Sequence, residues 1–348
     1  MNFNQILTHW YSINKREMPW RKTKNPYFIW LSEIILQQTQ IKQGLPYYEA
    51  FVKQFPTIFD LAKADESAVL KLWQGLGYYS RARNLHSTAK HIAFELNGTF
   101  PNNYKDLLQL KGVGDYTASA IASICYNEPT AVVDGNVYRV LSRYFGIDTP
   151  INSTKGIKEF KTLAMTVMDK KNPADYNQAI MEFGAIQCKP SNPDCDHCPL
   201  NSSCVALQKK LINELPVKLN KTKVSIKYFN FLVFVSSDKK TLFQKRSEKG
   251  IWRNLFQFPL IETNVPIDYD TLKSHPKLLS HITNSAFELT LYNDVDTIHK
   301  LSHQHLHTKF WIIEVDSLND EAIPISDLKR YPTAILISNF IDDFEFRL

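Results

Sequence analysis

The sequence lacks any long apolar run, and four of its five cysteines fall in one short segment. No stretch approaches the roughly 18–20 apolar residues of a membrane-spanning helix, and the longest apolar stretches have the length of a strand. The start, MNFNQILTHWYSINKREMPW, has no apolar core before a small-residue cleavage site, so it does not resemble a signal peptide. We therefore expect a soluble cytoplasmic protein with no membrane partner.

Strand signals are nearly absent before residue 224. Residues 1–215 repeat apolar residues at a spacing of three to four and are punctuated by Pro and Gly, which predicts helices. The later stretch VSIKYFNFLVFVSSDKKTLFQKR alternates and contains a polar turn, which predicts a hairpin; FQFPLIE, AFELTLY and KFWIIEV predict further strands. The predicted fold is a mostly α N-terminal domain (1–215), a linker (216–226) and an α+β domain (227–348).

The net charge of +6 is unevenly distributed. Residues 1–215 carry 24 Lys and Arg against 19 Asp and Glu, and PVKLNKTKVSIK (216–227) adds four lysines without an acid. Residues 228–348 carry 13 basic and 16 acidic residues. A basic N-terminal part with a basic linker suits a polyanionic partner, although a solvated surface explains this charge equally well.

The cysteine segment CKPSNPDCDHCPLNSSC has the spacing C-x6-C-x2-C-x5-C. A dense cluster in a reducing compartment favours a metal site over disulfides. Zinc sites usually contain two C-x2-C pairs, whereas only one is present here, so the unequal gaps favour an iron–sulfur cluster over zinc. The candidate ligands are Cys188, Cys195, Cys198 and Cys204.

Two glycines separate two helical stretches in LLQLKGVGDYTASAIA (107–122). Gly112 and Gly114 allow a tight turn whose N–H groups can bind a phosphate at a helix N-terminus. A simple helix–helix turn is the alternative interpretation.

Two carboxylates lie in contexts that suit acid catalysis. Glu33 has apolar neighbours in WLSEIILQQTQ, which would raise its pKa as a proton donor requires, unless it lies on the polar side of the helix. Asp134 precedes a helix in AVVDGNVYRVLSR, as a helix N-cap does. Capping the helix does not exclude a chemical role.

These segments together resemble the endonuclease III and MutY group of DNA repair glycosylases, from about Trp20 to Cys204. The resemblance implies a helix–hairpin–helix (about 105–124) and a 4Fe–4S loop (188–204) in which Lys189 is a candidate phosphate contact. The glutamate and aspartate segments match the MutY branch, which implies a monomeric, nucleoid-associated enzyme. Such an enzyme flips adenine out of A:8-oxoguanine or A:G mispairs in double-stranded DNA and excises it.

The same resemblance assigns roles at the catalytic site. Glu33 would protonate adenine, and Asp134, with Asn136 in the same segment, would stabilise an oxocarbenium-like sugar. Endonuclease III enzymes carry a nucleophilic lysine where this chain has Tyr116, which implies a monofunctional glycosylase. Lys111 replaces the family's proline in LKGVG and adds an amine nearby.

Two further segments resemble the parts of MutY that read the duplex. In GLGYYSRARNLH, Leu76 and Tyr78 would probe the base opposite the adenine, and Arg81 would contact phosphate. Gln38 and Thr39 would share the recognition from the other side. Considered singly, Leu76 and Tyr78 are more often core residues.

Arg21, in MPWRKTKNPY, is a further candidate for a pocket or DNA-backbone contact. It completes the set of DNA-binding candidates in the N-terminal domain.

The stretch QKRSEKGIWRNLFQFPLIE (244–262) resembles the Nudix-like C-terminal domain of MutY proteins. No carboxylate-rich Nudix helix follows it, so recognition is favoured over hydrolysis. Leu301 replaces the phenylalanine of the family's Phe-Ser-His motif, which leaves Ser302 and His303 to recognise 8-oxoguanine. The alternating histidines 303, 305 and 307 are an alternative metal site without an evident acidic or cysteine partner.

Two alternatives remain open from the sequence. One is a bifunctional pyrimidine-lesion glycosylase and lyase of the endonuclease III type, against which Tyr116 and the C-terminal domain count. The other is a non-catalytic iron–sulfur DNA-binding protein, which would have no need of Glu33 and Asp134.

Overall fold

The computed structural model describes residues 2–219, 224–282, 286–344 and 346. Its helices are α1 (Phe3–Asn14), α2 (Pro26–Leu36), α3 (Ile41–Gln54), α4 (Ile58–Lys63), α5 (Glu66–Leu72), α6 (Ser80–Lys90), α7 (Tyr104–Leu107), α8 (Asp115–Tyr126), α9 (Gly135–Phe145), α10 (Thr154–Val167), α11 (Pro173–Ile186), α12 (Val205–Gln208), α13 (Tyr269–Lys273), α14 (Pro276–Leu279) and α15 (Ile335–Asp343). Its strands are β1 (Ser225–Ser236), β2 (Lys240–Thr241), β3 (Gln244–Lys245), β4 (Phe256–Gln257), β5 (Leu260–Thr263), β6 (Glu288–Leu291), β7 (Thr297–Lys300), β8 (Gln304–Val315) and β9 (Ile323–Pro324).

The chain forms two compact units. The first comprises residues 1–63 and 84–220, and the second comprises 64–83 and 221–348. The fold class expected from the sequence, a helical N-terminal part followed by an α+β part, is confirmed. The second unit also includes the short helical segment 64–83, which the sequence analysis assigned to the helical domain, and residues 220–223 of the expected linker lie outside the described residues.

The first unit is organised around two helices, α8 and α11, in which most positions are buried. Helix α11 packs against α1, α8 and α9, and α8 also packs against α2. Small residues in DYTASAIASICY let α8 approach its neighbours closely, and eight of its positions are buried. The fully buried Asn177 of α11 donates to Ser123 Oγ (2.9 Å) and to the Thr130 carbonyl (2.8 Å), which fixes the loop leading into α9.

The long apolar stretch that begins with FIWLSEIILQQTQ forms two helices, α2 and α3. The break falls at Gln37–Gln40, where Gln38 has a left-handed φ of 54°. A residue in this conformation cannot continue a right-handed helix. The turn leaves Gln38 exposed and Thr39 half-buried at the end of α2.

The second unit contains a five-stranded mixed sheet. Its order is β5–β1–β8–β6, and β7 also pairs with β8. Strands β1 and β8 are parallel, with Phe231 opposite Phe310, while the other pairs in this sheet are antiparallel. Buried apolar side chains such as Leu232, Phe234 and Trp311 form a core beside the sheet.

The expected hairpin after β1 was wrong. The turn is present, because Ser236 Oγ accepts from the backbone N–H of Lys240 at 3.0 Å, but β2 pairs with β9 instead of β1. FQFPLIE forms two strands: β4 ends before Phe258, and β5 begins after Pro259. Proline lacks the N–H that a continuous ladder would need. None of the described helices is long and apolar enough to cross a membrane.

Candidate active site

Glu33 lies on a helix that is buried almost all round. Asn25 caps α2, Pro26 starts it, and positions 29–35 are buried, so Glu33 is only 9% exposed. Burial raises its pKa to about 7, the direction that its apolar neighbours predicted. The hydroxyl of Tyr116 on α8 shares a hydrogen bond with this carboxyl and partly opposes the increase.

Asp134 caps the N-terminus of α9, so the capping interpretation of its sequence context is correct. Its Oδ1 accepts from the backbone N–H groups of Asn136 (2.9 Å) and Val137 (2.8 Å), and its Oδ2 accepts from Asn136 Nδ2 (2.8 Å). Burial raises the pKa of Asp134, and these three hydrogen bonds oppose the increase. The carboxyls of Glu33 and Asp134 are close enough to interact electrostatically, with Tyr116 beside both.

Asn136 connects Asp134 to the cysteine segment. Its Oδ1 accepts from Arg139 Nη2 at 2.8 Å, while Arg139 Nε donates to the Cys188 carbonyl at 2.7 Å. A Cβ on Gly184 would lie 2.7 Å from the Cβ of Asn136, so only glycine allows α11 to approach α9 this closely. The orientation of the Asp134 carboxylate is therefore linked, through Asn136 and Arg139, to the backbone carbonyls of Gly184 and Cys188.

Glu33 lines a cavity of about 270 Å³, the Glu33 cavity. This volume is below the roughly 300–1,000 Å³ of sites for drug-sized ligands and suits a single flat ring. Trp20, Arg21 and Lys24 line one side. A larger groove of about 1260 Å³ in the same unit has Asp106 as its single carboxylate among the described residues and cannot supply an acid pair.

The contribution of α11 to the Glu33 cavity was not predicted from the sequence. Ala174, Asp175, Gln178 and Met181 lie at helical spacing on one face and line it. The Tyr116 hydroxyl donates to Met181 Sδ at 3.3 Å. The polar residues Asp175 and Gln178 on the mostly apolar helix α11 were the sequence signal for this contribution. Lys24, an exposed amine that also lines this cavity, was not predicted either.

The hairpin glycines occupy two different conformations. Gly112 has a φ of +80°, and a Cβ there would lie 2.8 Å from Asn84 Cβ, so glycine is required. Gly114 is extended and precedes the twelve-residue helix α8, and nothing lies within 4 Å of the position that a Cβ on Gly114 would occupy. Lys111 is exposed, and its carbonyl accepts from Thr88 Oγ1 at 2.7 Å.

Two of the four clustered cysteines, Cys188 and Cys204, contact the buried Arg143. The guanidinium of Arg143 donates to three backbone carbonyls and, from Nη1, to Cys188 Sγ at 3.5 Å, while Cys204 Sγ donates to the Arg143 carbonyl at 3.6 Å. Cys195 and Cys198 interact electrostatically with the other two. No carboxylate of the described chain pairs with Arg143, so the negative charge of thiolates would compensate this buried cation.

In the described part of the chain, no three Cys, His, Asp or Glu side chains are placed to hold one metal ion. The four cysteines supply one thiolate for each iron of a four-iron cluster. Lys189 is exposed beside them.

The candidate duplex-reading residues differ in exposure. Tyr78 is 51% exposed with a φ of 48°, whereas Leu76 is 6% exposed and packs inside the protein. Arg81 donates to the carbonyls of Leu76 and Gly77 at 3.3 Å, and its guanidinium lies 5.6 Å from the Tyr78 ring centroid. This arrangement places Arg81 as a support of the turn that presents Tyr78.

A second cavity, the Tyr78 cavity, has a volume of about 470 Å³ and lies within the second unit. Tyr78, Trp252, Ser302 and His303 all line it, together with Leu301. Ser302 and His303 are exposed, and their Oγ and Nδ1 atoms are 3.5 Å apart. The structure thus brings together residues that are more than 220 positions apart in the sequence.

The alternating histidines do not share one environment. The ring of His307 contacts Asp296, with 3.2 Å between Nδ1 and Oδ2, whereas His303 lines the Tyr78 cavity. The described residues contain no group of three potential ligands here. The metal interpretation of these histidines therefore finds no support in the geometry.

The sequence is similar to known repair proteins along most of its length. The family profile described as HhH-GPD superfamily base excision DNA repair protein matches residues 31–164, and a NUDIX domain profile matches residues 230–343. An adenine DNA glycosylase of Buchnera aphidicola subsp. Schizaphis graminum is 38% identical over 264 residues, which are 76% of each chain. One from Buchnera aphidicola subsp. Baizongia pistaciae is 36% identical and covers 89% of this chain and 86% of the relative.

Among solved structures, a thermostable thymine-DNA glycosylase matches with a TM-score of 0.55 and 31% identity, covering 60% of this chain and 95% of that one. An endonuclease III–DNA complex matches with a TM-score of 0.52 over 61% of this chain and 99% of that one, and at 21% identity this likeness concerns the fold alone. The chain is a base-excision DNA repair protein of the helix–hairpin–helix type with a Nudix-type domain. It belongs to the adenine DNA glycosylase family and is a hydrolase acting on N-glycosyl bonds.

The raised pKa of Glu33 predicts a stability cost at neutral pH. Between about 4.5, its ordinary value, and about 7, the folded protein binds a proton at Glu33 that the unfolded chain has released. The free energy of unfolding therefore falls as the pH rises through this window, by about 3 kcal/mol in total. We expect Glu33→Gln to be more stable than the parent protein near pH 8, with a smaller difference near pH 5.

Urea unfolding followed by circular dichroism at both pH values measures this difference. Glu49→Gln, at an exposed position on α3, is the matched control and should show no gain that grows with pH. A Glu33→Gln variant that is equally stable or less stable at the higher pH would contradict the assigned environment of Glu33.

Proposed function

We propose that the protein hydrolyses the N-glycosidic bond of adenine mispaired with 8-oxoguanine or guanine in double-stranded DNA, as a monomer and without lyase activity. The observation that carries this proposal is the proximity of Glu33, Asp134 and Tyr116, which interact electrostatically, together with a cavity lined by Glu33 that suits one nucleobase. The names of the relatives support adenine as the excised base. The glycosylase domain is residues 1–215, the linker 216–226 and the recognition domain 227–348.

Glu33 acts as the general acid. The flipped adenine enters the Glu33 cavity beside Trp20, whose ring offers an apolar wall. The carboxyl of Glu33, protonated below about pH 7, gives its proton to a ring nitrogen of adenine. The bond between the base and C1′ of the sugar then breaks, and its electron pair leaves with the neutral adenine.

Asp134 stabilises the positive charge that develops on the sugar. Asn136 orients the carboxylate through the 2.8 Å hydrogen bond from its side chain. A water oxygen then bonds to C1′, and the ionised Glu33 carboxylate accepts the released proton, which restores the enzyme. Tyr116 occupies the position of the nucleophilic lysine of endonuclease III enzymes and is held by Glu33 and Met181, so it offers no amine for a Schiff base.

The remaining candidates hold the duplex. The hairpin with Gly112 and Gly114 presents backbone N–H groups to a phosphate at the start of α8. Arg21 lines the Glu33 cavity, and Gln38 and Thr39 lie at the turn that follows α2. In the segment 75–83, the exposed Tyr78 ring enters the stack, and Leu76 and Arg81 support it.

The Tyr78 cavity recognises the opposite 8-oxoguanine. This base differs from guanine in its C8 carbonyl and in the hydrogen on N7, so a site that discriminates needs an acceptor for that hydrogen. Ser302 Oγ and the His303 ring can supply it, and Tyr78 and Trp252 offer aromatic faces to the base. Leu301 keeps an apolar side chain at the rim.

Cys188, Cys195, Cys198 and Cys204 hold a 4Fe–4S cluster, which the adenine DNA glycosylase and endonuclease III relatives support. The bound cluster supplies a rigid structural centre for the loop of residues 188–204 and no base-excision chemistry. Arg143 stabilises the thiolates from its buried position, and Lys189 is available for a DNA phosphate.

Single-turnover excision tests the catalytic assignment. We expect release of adenine from an A:8-oxoguanine duplex, with strand breaks only after alkali and no borohydride-trapped protein–DNA adduct. The rate should fall as the pH rises through about 7, because Glu33 loses its proton. Glu33→Gln should lower the rate by at least about 100-fold.

Glu49→Gln is the matched control. Full excision by Glu33→Gln would overturn the acid assignment, and breaks without alkali at the excision rate would establish the lyase alternative. Failure to release any base from a panel of mispaired or damaged duplexes would instead favour a non-catalytic DNA-binding protein.

The recognition site makes a separate prediction about specificity. Ser302→Ala and His303→Ala each remove one hydrogen-bonding group, worth about 1–3 kcal/mol when its partner is buried. We expect the preference for A:8-oxoguanine over A:G to fall by about 5- to 100-fold, with excision from A:G nearly unchanged. Ser280→Ala, at an exposed serine of the same domain, is the control. An unchanged preference in both variants would exclude this cavity as the recognition site.

The metal centre is tested by spectroscopy. We expect the purified protein to absorb near 400 nm and to contain about four iron atoms, since thiolate-bound iron is coloured and zinc is not. Cys198→Ser should lose most of this absorption, whereas Cys125→Ser, at the cysteine outside the cluster, should retain it. A colourless protein that contains one zinc ion would contradict the proposal.

A further inference from the structure

The most heavily hydrogen-bonded carboxylate near the Glu33 cavity does not line it. Glu182 on α11 is 2% exposed. Its oxygens accept from the backbone N–H of Arg16 (3.0 Å), from Arg16 Nε and Nη2 (both 2.8 Å), and from Arg21 Nη1 (3.2 Å) and Nη2 (2.8 Å). These contacts hold the pKa of Glu182 near 2, so it is ionised at neutral pH.

Two arginines on one carboxylate exceed what charge neutrality requires. Arg16 alone makes a bidentate pair with Glu182, and its side chain is 37% exposed and absent from the described lining of the Glu33 cavity. Arg21 is only 16% exposed and does line that cavity. A buried ion pair adds little net stability. Stability therefore does not explain why Glu182 binds a second arginine.

The guanidinium of Arg21 is fixed from three sides. Glu182 accepts two hydrogen bonds from it, the Arg16 carbonyl accepts a third at 2.7 Å, and the Tyr11 ring centroid lies 5.5 Å away. The Tyr11 hydroxyl in turn donates to Gln178 Oε1 at 3.0 Å, and Gln178 lines the same cavity. Glu182 is therefore the anchor of a connected wall of the Glu33 cavity.

The position of Arg21 affects the acid itself. Its positive charge lowers the pKa of Glu33 and opposes the larger increase due to burial. The charged and titratable groups around Glu33 come from four elements: Tyr116 and Cys125 on α8, Asp134 at the start of α9, Arg21 and Lys24 before α2, and Asp175 on α11. Of these, Arg21 is the one held by a buried counter-ion on a neighbouring helix.

We propose that Glu182 is a positioning residue that holds the Arg21 guanidinium against the Glu33 cavity, where Arg21 orients the flipped base. The inference rests on the proposed excision of adenine. Release of Arg21 impairs the reaction in two ways. The base loses an oriented hydrogen-bond donor, and Glu33 loses the nearby positive charge that favours release of its proton.

The test compares Glu182→Gln, Arg21→Gln and their double variant in single-turnover excision across pH. The Glu182→Gln substitution would present an N–H₂ group to two arginines and would release Arg21. We expect each single variant to lower the rate by about 10- to 100-fold. We also expect the pH at which activity is lost to move upward in both, because Glu33 holds its proton more tightly without Arg21. The double variant should be no slower than Arg21→Gln.

Arg16→Gln is the matched control, since it removes the other ion pair of Glu182 but leaves Arg21 in place. It should match the parent protein in rate and pH profile, even if thermal unfolding occurs at a lower temperature. Glu182→Asp, which keeps the charge but shortens the side chain, should show the same shifts in a weaker form and serves if Glu182→Gln does not fold.

Three results would overturn the inference. The first is an equal fall in excision rate in Arg16→Gln and Glu182→Gln, and the second is a pH of activity loss that is unchanged or lower in the Glu182 variants. The third is a fall in rate in the double variant that equals the two single effects combined. A parent protein that releases no adenine would instead refute the proposed function, so the two failures are distinguishable.

Discussion

The burial of one carboxyl group, that of Glu33, is the constraint on which the rest of the site depends. An acid with ordinary exposure would be ionised at neutral pH and could not protonate a leaving base. Helix α2 removes this group from water by burying nearly its whole surface, and the pKa rises to about 7. The raised pKa of Glu33 lowers the free energy of unfolding at neutral pH, and such perturbed pKa values are typical of functional sites.

The environments of the two acids differ because their backbone positions differ. Glu33 lies within a helix, where no backbone N–H is free to donate to it, so desolvation dominates. Asp134 lies at an N-cap, where two backbone N–H groups and the Asn136 amide stabilise the charged form. One helix, α11, then contacts the surroundings of both acids through Met181, Glu182 and Gly184.

Much of this arrangement could be predicted from local sequence. The helical and α+β halves followed from periodicity, and the cap at Asp134 and the turn at Gly112 followed from residue type. Long-range contacts could not be predicted from local sequence. Glu182 and Gln178 have the pattern of polar positions on an amphipathic helix, and only the fold places Arg21 and Tyr11 beside them. The pairing of β2 with β9 and the grouping of Tyr78 with Ser302 depend on distant segments in the same way.

The most direct measurement of the central claim is the titration of Glu33 itself. Infrared difference spectra of protein with ¹³C-labelled glutamate carboxyl groups, compared between the parent protein and Glu33→Gln, isolate this one carboxyl. We expect a protonated carboxyl band that disappears with a midpoint of about pH 7. A midpoint near the ordinary value of 4.5 would instead mean that Glu33 carries no proton to give to the base at neutral pH.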